Sequence, residues 1–148
     1  MLAKTLALPT FDLSGVVAQL KADPVYADWP AEKLQQAEME YRQFLAIRKA
    51  YPDGTIMPTE LADTVWHRHI LNTRAYFADT ANFLGEYLHH RPHMPADSTV
   101  KRSYALYRQH FGPMQGSEPV MCDVDDGPVV MCDVDDSRRE ISTALSER

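Results

Sequence analysis

The fold is decided by residues 62–93, which read ADTVWHRHILNTRAYFADTANFLGEYLHHRPH and hold five of the six histidines and one of the two tryptophans. On a helical wheel, the apolar residues of this stretch and the residue before it lie on one face. They are Leu61, Ala62, Val65, Trp66, Ile70, Tyr76 and Phe77. The pattern predicts one long helix, within an all-α protein, that begins at Pro58 or Thr59. Gly85 is a potential break in this helix, and the stretch from Pro92 to Pro95 must end it.

The two histidines of the W-H-x-H run are expected on different sides of that helix. His69 falls in the middle of the apolar face, with Thr73 and Tyr76 following it at the i+4 and i+7 positions. His67 is about 200° away, with Asp63 one turn before it. A regular helix therefore does not let His67 and His69 bind the same ion.

A second histidine group, His89, His90 and His93, follows Gly85. Ligands from a helix and from the turn after it commonly assemble a metal site, and imidazole suits Zn, Cu, Fe or Ni. The candidate metal ligands are His67, His69, His90, His93 and Asp63, with Trp66, Thr73, Tyr76 and Asp79 as supporting residues. The spacing matches no established zinc motif. The alternative is a core histidine at His69 and a solvated helix end at the second group.

Several of these residues resemble the signature of the glycine-rich-domain-containing-protein-like family, in its short bacterial type. They are Asp63, Trp66, His67, His69, Ile70, Tyr76, Asp79, His90 and Pro92. The resemblance covers residues 30–95 and implies a helical domain, but it brings no settled activity. With six glycines in all, the chain has no glycine-rich region.

Length and composition predict one helical domain and a tail. The chain has 148 residues, of which 45% are hydrophobic, enough for a core in a domain at 1–112. Shorter helices are expected at 10–20, 30–51 and 99–111, which gives a bundle of four or five. No signal peptide or membrane span is evident, so we expect a soluble cytoplasmic protein with free thiols and no membrane partner.

The negative charge lies in the tail, residues 113–148. Residues 1–116 contain twelve Lys and Arg and twelve Asp and Glu, whereas residues 117–148 contain three and nine. A balanced domain with an acidic tail lacks the basic face that nucleic-acid binding needs. We therefore expect no nucleic-acid partner.

The tail contains an internal repeat, because VMCDVDD at 120–126 returns unchanged at 130–136. It places Cys122 beside Asp123 and Cys132 beside Asp133, where the carboxylates should raise the thiol pKa and disfavour a catalytic nucleophile. The copies could pair as a hairpin, bind a metal as an acidic arm, or serve as the cores of a modified-peptide precursor whose leader is the helical domain. The alternative is a largely disordered acidic tail.

These observations favour a binding or interaction module over an enzyme. No spacing specifies a reaction, so the catalytic residues stay unknown, and a small metal-dependent enzyme is the weaker alternative. A protein partner or a modifying enzyme would act through the tail.

Overall fold

The computed structural model describes residues 5–91 and 95–113, and it has five helices in this part of the chain. They are α1 (Ser14–Ala22), α2 (Ala31–Ala50), α3 (Glu60–Leu71), α4 (Thr73–Leu84) and α5 (Asp97–Phe111). No strand occurs in these two ranges, so the all-α prediction is confirmed. The predicted tail lies outside the described residues apart from Pro113.

The bundle is built around the long helix α2, which packs most extensively against α3 and also contacts α5. Helices α1 and α4 also contact α3. The core between them is aromatic and aliphatic, with fully buried side chains that include Tyr41, Phe44, Leu45, Ile47, Val65, Tyr76 and Tyr107. None of the helices among the described residues is long and apolar enough to cross a membrane.

The prediction of one continuous helix from 59 to 85 is wrong, because the helix breaks at Asn72. The Asn72 side chain donates to the Arg68 carbonyl and exchanges two hydrogen bonds of 2.9 Å with Gln19 of α1. Its backbone N–H reaches only the His69 carbonyl, in a tighter turn than the α-helix. Asparagine competes in this way with regular helical hydrogen bonds, and here its partner on α1 fixes the break.

The other helix ends follow local signals. Thr59 caps α3 by accepting a hydrogen bond from the Ala62 N–H, and Pro30 precedes α2. Gly85 ends α4 in the left-handed conformation, with φ of 83°. Helix α1 begins at Ser14 rather than at the predicted residue 10, and the Asp12 carboxylate accepts a hydrogen bond from the Ser14 N–H.

Candidate metal centre

Helix α3 presents Asp63 and His67 on one face, because residues four apart on a helix are neighbours. The start of α3 is fixed by Thr59, whose hydroxyl also donates to the buried carboxylate of Glu40 on α2, at 2.6 Å. Asp63 lies in the first turn after this cap. The position of its carboxylate is therefore set by a tertiary hydrogen bond as well as by the helix.

His90 comes from the segment that follows Gly85, which turns back toward α3. Trp66 and Tyr76 hold this segment: the Trp66 indole N–H donates to the Tyr76 hydroxyl at 2.9 Å, and that hydroxyl donates to the Leu88 carbonyl. The rings of Trp66 and His90 lie 4.5 Å apart between centroids. An aromatic wall therefore orients His90 toward Asp63 and His67.

Three ligand atoms converge where these elements meet. The Nε2 atoms of His67 and His90 are 2.9 Å apart, and the Asp63 Oδ1 lies 3.2 Å from the first and 3.7 Å from the second. A tetrahedral ion with bonds of about 2.0–2.1 Å separates its ligand atoms by about 3.3 Å. The three observed separations lie on both sides of that value, so the group could hold a metal ion.

The carboxylate of this group is buried but ionised. Burial alone would raise the pKa of Asp63, but the hydrogen bonds and positive charges that His67 and His90 can offer outweigh it, and the pKa falls below its usual value. The His90 Nδ1 is buried and has no partner among the described residues. The hydrogen bonds that hold the His90 ring therefore all involve Nε2, the atom that would bind a metal.

His69, Tyr41 and Asp79 form a separate hydrogen-bonded group, the closed cluster, in which protein partners occupy both nitrogens of the His69 ring. The His69 Nδ1 is 2.7 Å from the Tyr41 hydroxyl and its Nε2 is 2.8 Å from the Asp79 carboxylate. Because a carboxylate only accepts, Nε2 carries the proton, and the neutral ring accepts the Tyr41 hydroxyl proton at Nδ1. Burial lowers the pKa of His69, and the Asp79 hydrogen bond opposes part of that effect. Both ring nitrogens are thus satisfied by protein partners.

This closed cluster depends on the break at Asn72. In a continuous helix, residues 69 and 79 would be about 15 Å apart along the axis, too far for a hydrogen bond. Because α4 turns away at Asn72, Asp79 comes back to the His69 ring.

A cavity of about 490 Å³ opens beside the metal-ligand group. Asp63 and His90 form part of its wall, together with the aromatic residues Phe44, Trp66 and Tyr87. Its other walls include residues 52–58 and two arginines, Arg48 and Arg91. A ligand in this cavity would reach two of the three candidate metal ligands.

The structure separates the predicted site residues into groups. Asp63, His67 and His90 come together, whereas His69, Tyr76 and Asp79 belong to the hydrogen-bonded core. Trp66 packs against His90, and Thr73 is exposed at the start of α4. The predicted site residues that lie outside the described part are His93, Cys122, Asp123, Cys132 and Asp133.

Two features that shape this region, the role of Tyr41 and the helix break at Asn72, were not predicted from the sequence. Tyr41, the partner of His69, looked like any other apolar-face residue of α2, and nothing in its spacing indicated its role. The break at Asn72 did have a signal, because Asn-Thr inside a helix is typical of a helix end.

A family model described as UCP032817-like matches residues 6–112, which is most of the chain. The chain therefore belongs to the UCP032817-like family. The predicted membership of the glycine-rich-domain-containing-protein-like family is wrong, because the family model that matches this chain is the UCP032817-like one. No match was found among curated proteins or among solved structures.

Proposed function

We propose that this protein is a helical binding module that holds one divalent transition-metal ion through Asp63, His67 and His90. The observation that carries the proposal is the convergence of two imidazole nitrogens and one carboxylate oxygen from two separate segments. Their separations of 2.9, 3.2 and 3.7 Å lie around the value of about 3.3 Å for a tetrahedral site. The need to neutralise the Asp63 charge does not explain this arrangement, because one histidine would be enough to form an ion pair with a single carboxylate.

Zn²⁺ fits the ligand set best. Imidazole and carboxylate are both common zinc ligands, and zinc favours four-coordinate sites. Copper, iron and nickel also accept imidazole, and two histidines with one carboxylate are a known ligand set for Fe²⁺. The ionised Asp63 supplies one negative charge, so the loaded centre would carry a net charge of about +1.

The number of protein ligands bears on what the ion would do. Structural zinc sites are closed by four protein ligands, whereas catalytic zinc sites have three protein ligands and keep the fourth position open to water or substrate. Asp63, His67 and His90 occupy three positions, and the cavity beside Asp63 and His90 gives access to a fourth. This supports a module whose ion can take a further ligand.

The test is a titration of the metal-free full chain with Zn²⁺ by calorimetry, with metal content checked by elemental mass spectrometry. It is done in a chain carrying Cys122→Ser and Cys132→Ser, so that the tail thiols do not contribute. We expect one ion per chain. His67→Ala, His90→Ala and Asp63→Asn should each weaken binding by more than the roughly 10–100-fold that changes around a metal's ligands cost.

The matched control is His89→Ala, since His89 is the exposed neighbour of His90 and lies outside the ligand group. It should bind Zn²⁺ as the parent does. A second readout is thermal stability, because an ion at about 100 times its Kd stabilises the fold by about 2.7 kcal/mol. Equal binding by the parent and the three ligand variants would overturn the proposal.

A further inference from the structure

The net charge of the cavity beside the metal-ligand group depends on whether the ion is present. The charged side chains that line the cavity are two arginines, Arg48 and Arg91, and three carboxylates, Asp53, Asp63 and Glu86. With the lining histidines counted as neutral, the metal-free cavity has one negative charge in excess. A divalent ion bound at Asp63 adds two positive charges, so the loaded cavity has one positive charge in excess.

We propose that the loaded cavity binds a small organic carboxylate, one oxygen of which takes the fourth position on the ion held by Asp63, His67 and His90. This inference rests on the proposed function, and it names the class of ligand that the ion would accept. A carboxylate brings the single negative charge that neutralises the loaded cavity, and its oxygen is a common zinc ligand. The metal-free cavity should repel the same anion, because their charges have the same sign.

The size and the lining of the cavity fit an organic molecule rather than a simple ion. Its volume of about 490 Å³ lies within the range of roughly 300–1,000 Å³ for small-molecule sites. Apolar side chains from three segments line it, among them Met57, Trp66 and Tyr87. Tyr87 is 37% exposed, so a ligand can cover its ring. An apolar body attached to the carboxylate would therefore gain free energy by leaving water.

A continuous row of side chains connects the metal-ligand group with Arg48. The Trp66 ring lies 4.5 Å from the His90 ring and 4.8 Å from the Phe44 ring, between centroids. Arg48 is four residues after Phe44 on α2, so the two side chains lie on the same face of that helix. All four residues line the cavity. The Arg48 guanidinium therefore places a positive charge on the wall that leads away from the ion.

The Arg48 charge is available to an anion in the cavity. Its ion-pair partner in the described part of the chain is Glu86, at 3.9 Å, which is too long for a hydrogen bond. The Glu86 side chain is 67% exposed, and such exposed pairs contribute little free energy. A guanidinium has five N–H donors and suits carboxylates, so Arg48 can interact with a second carboxylate at small cost.

The ion and the carboxylate must help each other to bind. A carboxylate that binds the loaded chain more tightly than the metal-free chain raises the affinity for the ion by the same factor. We expect this factor in the range of roughly 5–150-fold that coupled sites show. The proposed module would then hold its ion most tightly when the carboxylate is present.

The experiment uses Co²⁺ as the metal probe and benzoate as the carboxylate probe, in the full chain that carries Cys122→Ser and Cys132→Ser. Protein-bound Co²⁺ has visible d–d bands that respond to a change of its ligands. We expect these bands with one ion per chain, and we expect benzoate to change them. In calorimetry, the metal-free chain should bind benzoate at least about fivefold more weakly than the loaded chain.

Benzamide and acetate are the matched control ligands. Benzamide has the ring of benzoate without its charge, and it should leave the d–d bands unchanged. Acetate has the charge without the ring, and it should change the bands only at higher concentration. Equal responses to benzamide and benzoate, or equal affinities for acetate and benzoate, would overturn the assignment of an organic carboxylate.

Arg48→Gln and Lys49→Gln test whether the anion lies in this cavity. Each removes one positive charge from α2, but Arg48 lines the cavity whereas Lys49 is an exposed residue outside it. Arg48→Gln should weaken benzoate binding by about two- to fivefold, the effect of one partly exposed charge, and Lys49→Gln should leave it unchanged. Equal benzoate affinities of the two variants would contradict binding in this cavity.

The failure of this inference differs from the failure of the proposed function. Bound Co²⁺ whose d–d bands do not respond to benzoate would overturn the carboxylate inference but leave the metal centre standing. A chain that binds neither Co²⁺ nor Zn²⁺ would overturn both.

Discussion

His67 and His69 are two residues apart on α3 but lie in opposite kinds of surroundings. The His69 side chain is 1% exposed, and both its nitrogens have protein partners, Tyr41 and Asp79. The His67 side chain is 35% exposed, and its Nε2 points to another imidazole nitrogen and a carboxylate. A histidine such as His69, whose two ring nitrogens both have protein hydrogen-bond partners, stabilises the fold. A histidine such as His67, whose Nε2 lies close to other potential ligand atoms, is available to bind a metal.

The largest expected effect comes from breaking the closed cluster. His69→Ala leaves a cavity and two buried polar partners, so we expect the metal-free protein to lose about 3 kcal/mol or more of unfolding free energy. Urea denaturation measures this loss. His67→Ala should cost about 1 kcal/mol or less, because the side chain is partly exposed.

The effects of His69→Ala and His67→Ala on metal binding should have the opposite order to their effects on stability. His69→Ala should still bind one Zn²⁺ under native conditions, and His67→Ala should not. If His69→Ala fails to fold, Tyr41→Phe removes only one hydrogen bond of the closed cluster at a cost of about 1 kcal/mol, and metal content can be measured in it. Loss of the ion in Tyr41→Phe would show that the two clusters are not separate.

An intermediate effect is expected at the turn that brings His90 to α3. Gly85 has φ of 83°, so Gly85→Ala should cost about 1 kcal/mol in urea denaturation. The strain should also displace the segment that carries His90 and weaken Zn²⁺ binding in calorimetry. Unchanged Zn²⁺ affinity would mean that the turn does not position His90.

Gly112→Ala is the control for that turn, since Gly112 also has a positive φ, of 81°, but follows α5 rather than leading to His90. It should lower stability at least as much without changing Zn²⁺ affinity. Both glycine variants are compared in the chain that lacks the two cysteines, because Gly112 precedes the tail.

The smallest effect is the response of the closed cluster to pH. Burial lowers the pKa of His69 from 6.5, although the Asp79 hydrogen bond opposes it. The unfolded chain then takes up a proton near pH 6.5 while the folded chain does not, so this contribution to stability is complete above pH 6.5 and declines as the pH falls below it. Asp79→Asn should lower the His69 pKa further, because it removes the carboxylate that favours the charged ring.

Nuclear magnetic resonance titration of the imidazole Cε1–H signals measures that pKa in the metal-free protein. A His69 pKa at or above 6.5 in the parent would contradict the closed arrangement. So would an increase of the His69 pKa in Asp79→Asn, because this change removes an interaction that favours the charged ring.

Much of the helical fold was predictable because its signals are local. Pro30, Thr59 and Gly85 mark helix ends through their own backbone preferences, and the apolar faces of α2 and α3 follow from spacing alone. Of the site, the pairing of Asp63 with His67 was predictable for the same reason, since four residues make one helical turn. The partner from the second histidine group was only one of several candidates.

The sequence by itself determined the helical class, most helix ends and the opposite orientation of His67 and His69, because each depends on residues within about one helical turn. Asn72 is a local signal against a helix interior, but the tertiary structure decided that the long helix breaks there, because Gln19 on α1 holds its side chain. The tertiary structure also selected His90 to meet Asp63 and His67, and Tyr41 and Asp79 to enclose His69. Those choices depend on packing and hydrogen bonds between distant segments, and helical spacing carries no information about them.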